Sequence, residues 1–169
     1  MTTDSSKSMD GTEQIATSIP SDVLEALLVD LLDQQGELHY PLVGQSMQPT
    51  IPADSFLTVE PLTAEPVAGD LLVFVWAGQL VAHRLIRKVK GIKGERWITQ
   101  GDNCPIPDPV LTPDRVIGRV CAATYRGQSI WSSANQTVWR WRWIIRYYVL
   151  ATKRHLQRHL RRVIHGRES

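Results

Sequence analysis

Cysteine, phenylalanine and long apolar runs are scarce in this chain of 169 residues, with two Cys, two Phe and three Met in all. Cys104 and Cys121 are too few for a disulfide framework and have no metal-site spacing, so both are expected as free thiols, and neither a metal nor another cofactor is implied. The longest mostly apolar stretch, residues 139–150, is interrupted by Arg140, Arg142 and Arg146. It falls short of the roughly 20 residues a membrane-spanning helix needs. Residues 1–17 hold many Ser, Thr and Asp, one basic residue at Lys7 and no apolar core, which excludes a secretory signal. The expected location is the cytoplasm or the periphery of a membrane surface, with the choice between them open.

Charge is also unevenly spread. The formal net charge of +2 hides a segment, residues 136–169, with nine Lys/Arg against one acid, while the rest is acidic overall. The length suits one domain with extensions. The expected order is a disordered start over 1–20, a domain over 21–135 and a basic amphipathic helix over 136–169. Within 138–164, Trp141, Ile144, Ile145, Tyr148, Leu156 and Leu160 fall near one helical face, with Arg142, Arg146, Lys153 and Arg161 largely off it. Two readings stand side by side: a helix lying at an anionic membrane surface, or one packed on the domain or a partner. A basic tail supplies only nonspecific phosphate contact, so nucleic acid is not the expected partner.

Ser21 is a suitable N-cap, and Val23, Leu24, Leu27, Leu28, Leu31 and Leu32 repeat at helical spacing until Gly36 ends the run. From Leu38 to about Tyr125 short apolar or alternating segments follow, at 39–43, 56–60, 71–76, 80–88, 96–99 and 116–123, with Ala77-Gly78-Gln79 as a tight hairpin signal. The expected fold is therefore mostly β, covered by one N-terminal helix.

Three segments carry candidate chemistry. Ser46, in Gly44-Gln45-Ser46-Met47-Gln48-Pro49-Thr50, offers a hydroxyl nucleophile; His83, in His83-Arg84, offers an imidazole; Asp102 and Asp108, in and after Gly101-Asp102-Asn103, offer carboxylates. Together they are the complement for acyl transfer by a serine peptidase. Alternation on 80–88 groups His83 with Val81 and Leu85, an apolar setting that suits the neutral ring a general base requires. A core histidine bonded to a backbone carbonyl fits the same position.

These segments, with Gly69-Asp70-Leu71-Leu72-Val73-Phe74 and Gly118-Arg119-Val120, resemble the signal peptidase superfamily, serine peptidase families 24 and 26, over about residues 43–120. That superfamily includes type I signal peptidases and the self-cleaving repressors of the SOS response. The resemblance implies a β-barrel-type catalytic domain and hydrolysis of a peptide bond, with small residues such as alanine before it. Many members use a Lys-Arg pair; His83-Arg84 is similar to the endoplasmic-reticulum, archaeal and sporulation type of signal peptidase. By that resemblance the triad is Ser46, His83 and Asp108, with Gly44 and Arg84 in support and Asp102 structural, capping backbone N–H groups of its turn. Two departures accompany it. Gly44 stands where a hydroxyl residue often completes the oxyanion hole, and Ala53-Asp54 where Gly-Asp is usual. Besides a peptidase acting on leader or signal peptides, a self-cleaving regulator and a catalytically weak peptide-binding module stay open.

Overall fold

The computed structural model describes residues 19–92 and 94–133. The expected disordered start, apart from its last two residues, and the basic C-terminal helix lie outside the described residues.

Helix α1, Ser21–Gln35, forms because Leu24, Leu28 and Leu32 recur every four residues and share the face turned to the core. It ends at Gly36, whose left-handed φ of 77° lets its N–H donate to the Leu32 carbonyl at 2.8 Å. Its start differs from expectation. Pro20 holds the N-cap position without a side-chain bond, and Ser21 is the first helical residue.

Seven strands follow: β1 Leu38–Pro41, β2 Phe56–Glu60, β3 Leu71–Trp76, β4 Gln79–Gly91, β5 Gly94–Gln100, β6 Val116–Tyr125 and β7 Gln128–Ser132. They make one sheet in the order β1-β2-β6-β3-β4-β5, all neighbours antiparallel, with β7 added on β6. The fold is thus mostly β with one N-terminal helix, as the residue pattern predicts. The expected hairpin at Ala77-Gly78 is present, with φ of 50° and 74° matching a two-residue turn whose twist suits antiparallel strands.

Strand β3 is buried along nearly its whole length, which explains its unbroken apolar run. Leu71, Val73 and Val75 join a core beneath α1 with Leu32, Leu57 and Val120. Leu72 and Phe74 face a second core with Leu85, Trp97 and Leu111. Both faces of β3 are therefore clamped, and β4 beside it inherits a rigid register: Leu72 opposite His83 and Leu71 opposite Arg84. His83 enters the second core next to Phe74, ring centroids 6.1 Å apart and edge-to-face, with Val81 and Leu85 in the same core. The two-residue alternation placed it there correctly.

Candidate active site

Each chemical group is held by a different element. Ser46 sits in the loop between β1 and β2, anchored by the fully buried Met47 and Ile51, whose backbones are joined by an Ile51 N–H to Met47 O bond of 2.9 Å. The loop is closed at its base by Leu42 N–H to Ser55 O at 2.7 Å and Asp54 N–H to Leu42 O at 3.0 Å. Asp54 has a φ of 62°. The turn therefore forms without a glycine at position 53, because the left-handed residue is the aspartate, a type that tolerates this conformation.

His83 comes from the middle of β4 and is 8% exposed. Asp108 comes from the long loop after β5, which runs back along that strand. Trp97 and Leu111 exchange backbone bonds of 2.7 and 2.9 Å, and Asp108 N–H donates to Thr99 O at 2.8 Å. That pairing turns the Asp108 side chain toward His83, so His83 Nδ1 lies 2.7 Å from Asp108 Oδ2. The same oxygen accepts the Thr99 hydroxyl at 2.8 Å. An ionised carboxylate only accepts, so beside it Nδ1 is the donor, and the tautomer this contact selects has its lone pair on Nε2. Thr99, fully buried, grips Asp108 through both backbone and side chain. Sequence reasoning missed it; the inward phase of Thr99 on a strand with Trp97 was the available signal.

The nucleophile loop and the histidine meet at Gly101. A Cβ on Gly101 would lie 2.7 Å from the Ser46 carbonyl oxygen, 2.7 Å from Cys104 Sγ and 2.9 Å from His83 Nε2. Only glycine lets these three approach. Asn103 fastens the same junction, donating its N–H to Ser46 O at 2.7 Å and its Nδ2 to Gln45 O at 3.2 Å. Among the described residues no hydrogen bond joins Ser46 Oγ to the ring, an arrangement common in unliganded sites.

Asp102 pairs with a side chain and not with the backbone N–H groups of its turn. Its two oxygens accept Arg84 Nε at 2.9 Å and Nη2 at 2.7 Å, with both side chains 1% exposed. Arg84 also donates Nη1 to Gly69 O at 2.8 Å. A backbone cap of the kind expected of Asp102 is made in a different turn by Asp70, whose Oδ2 accepts Val67 N–H at 2.9 Å. Arg84 thus ties the Gly69-Asp70 turn to the Gly101-Asp102-Asn103 turn from the face of β4 opposite His83.

Ser46 and His83 line one cleft of about 500 Å³, walled by β1 from Tyr40, by Val43 and Gly44, and by β4 from Gln79. Burial pushes the Tyr40 phenol well above its usual range, so it stays neutral. Burial, then Asp108 and to a lesser degree Asp102, pushes the Cys104 thiol up, which disfavours the thiolate needed for reactivity. Cys104 and Cys121 are free thiols. Among the described residues no group of three or more His, Cys, Asp or Glu could hold a metal ion, and no helix is long and apolar enough to cross a membrane.

Gly44 has a φ of 89°. Any L side chain is strained there, although an added Cβ would meet open space, so a hydroxyl residue at this position strains the loop as folded. Gly44→Ser is expected to destabilise the protein by about 1–2 kcal/mol, measured by urea denaturation, since left-handed backbone costs a side chain that much.

No curated protein matches the chain. A family model described as Peptidase S24-like matches residues 11–121, a span that includes α1, the Ser46 loop, His83 and Asp108. The chain belongs to the Peptidase S24-like family.

Proposed function

We propose that the chain is a serine endopeptidase of the signal-peptidase kind, cleaving leader- or signal-type peptides with Ser46 as nucleophile, His83 as general base and Asp108 as its orienting carboxylate. The observation that carries this reading is the His83 Nδ1 to Asp108 Oδ2 contact of 2.7 Å, with Nε2 directed at the Gly101 junction where the Ser46 main chain arrives. A histidine kept only for packing has no use for lining a cleft while holding a carboxylate that Thr99 clamps from behind.

The chemistry follows from these parts. His83 Nε2 takes the Ser46 hydroxyl proton as Oγ attacks the peptide carbonyl, and Asp108 stabilises the imidazolium. The tetrahedral intermediate collapses as Nε2 returns that proton to the leaving amine, leaving an acyl-serine ester. Water, deprotonated by the same nitrogen, then hydrolyses the ester. Backbone N–H groups, that of Ser46 included, receive the oxyanion, because Gly44 brings no hydroxyl.

The cleft also suits an extended chain. Residues 79–83 of β4 pair with β3, while β5 pairs only from Arg84 onward, so among the described residues this stretch has an open edge beside His83. A peptide there would gain main-chain hydrogen bonds, as strand-adding ligands do. Ala77-Gly78, a dipeptide that a self-cleaving regulator could cut, is instead locked in left-handed backbone by the β3–β4 ladder. Cleavage in trans is therefore expected. Purified protein incubated with alanine-containing leader peptides should yield a single cut after a small residue while its own mass stays unchanged. Self-cleavage at Ala77, with added peptides intact, would replace this reading with the regulator.

A further inference from the structure

Helix α1 has two apolar faces and only one is used. Leu24, Leu28 and Leu32 pack inward, yet Val23 and Leu27, one turn apart on the outer side, are 52% and 49% exposed, with Ile19 just before them at 53%. Asp22, Asp30 and Asp33 flank this stripe and are exposed, and α1 contains no basic residue. Glu25 is already engaged by Arg115.

An acidic rim narrows what can cover the stripe. An anionic lipid surface is repelled, and so is α1 of a second copy. Residues 1–18 carry Asp4, Asp10 and Glu13 against Lys7, the wrong sign, and have no apolar periodicity. Residues 138–164 have the complementary chemistry: eight Lys/Arg, no acid and apolar residues at helical spacing. They are also near by. The described chain ends just after β7, whose Trp131 shares a core with Leu32 of α1, so it leaves the fold in the layer that α1 covers. A tether of a few residues gives such a segment a high effective concentration at that face.

We propose that the outer face of α1, centred on Val23 and Leu27 and rimmed by Asp22, Asp30 and Asp33, is a docking surface for the chain's own segment 138–164. Apolar burial holds it and the opposed charges set its orientation. The surface is separate from the cleft, and the inference does not depend on the activity proposed above.

Limited trypsin digestion of the full chain tests it, because the arginines of 138–164 are cut only when the segment is released. Cleavage follows the open population when opening is fast, so Val23→Asp with Leu27→Asp should accelerate tail cleavage about tenfold. Val67→Asp, at a site 45% exposed in the wild type and in the loop between β2 and β3, should leave the rate unchanged. Raising salt from 0.1 to 1 M should also speed cleavage, since the Debye length falls from about 10 to about 3 Å. If the double variant loses helical content, Asp30→Lys with Asp33→Lys decides, because both residues are exposed and the changes reverse only the rim charge. An unchanged tail rate in the folded variants would overturn the proposal. So would protection that rises with protein concentration, which indicates a second copy, or protection seen only with anionic vesicles, which indicates a lipid surface.

Discussion

Asp108→Asn is expected to lower peptide turnover by roughly 10²–10⁴, the range that general-base assistance contributes, with the fold intact. In the proposed mechanism the neutral amide cannot stabilise the imidazolium that forms as His83 accepts the serine proton, although its shape still fits between His83 and Thr99. The companion variant is Asp102→Asn, two residues past Gln100 of β5 and on the Arg84 side of β4. In samples matched for folded fraction by circular dichroism, it should retain far more activity than Asp108→Asn. The reverse order of kcat/KM would mean that the catalytic carboxylate is Asp102.

Arg84→Met has the opposite profile, a collapse of stability that precedes any effect on chemistry. It strands the Asp102 carboxylate, 1% exposed, without its bidentate partner and leaves Gly69 O without the Nη1 donor. Breaking a buried pair this way costs about 3–5 kcal/mol. That is a large share of the roughly 5–15 kcal/mol by which domains are stable, so the melting temperature should fall by about 10–25 °C. The pair Arg115–Glu25 provides the contrast. Arg115 is 46% exposed, and Arg115→Met should cost no more than about 1 kcal/mol. Differential scanning calorimetry of both variants measures the difference; equal, small losses would show that Arg84 is not a structural tie.

Local sequence carried the fold wherever one residue pattern decided the element. The unbroken apolar run of β3, the Ala77-Gly78 turn and the helix ending at Gly36 needed no knowledge of distant contacts. Strand β7 escaped because Gln128-Ser129-Ile130-Trp131 has only one buried residue, Trp131, and the Arg126-Gly127 turn that starts it adds no apolar signal. In the site, motif order alone singled out Ser46, His83 and Asp108, and the structure places His83 Nδ1 2.7 Å from Asp108 Oδ2. The partner of Asp102 was not legible. It depends on Arg84 lying opposite Gln100, a register fixed by two strands whose pairing is tertiary. Thr99 was hidden for the same reason, since its bond to Asp108 exists only because the following loop folds back along β5.

The central claim is that Ser46 does the chemistry and His83 activates it. The most direct measurement is the rate at which full-length protein cleaves an alanine-containing leader peptide, with Ser46→Ala and His83→Ala assayed beside it at equal folded fraction. The account predicts a measurable rate for the wild type, none above background for Ser46→Ala, and a loss of at least about 10² for His83→Ala. Cleavage by either variant at the wild-type rate would contradict it.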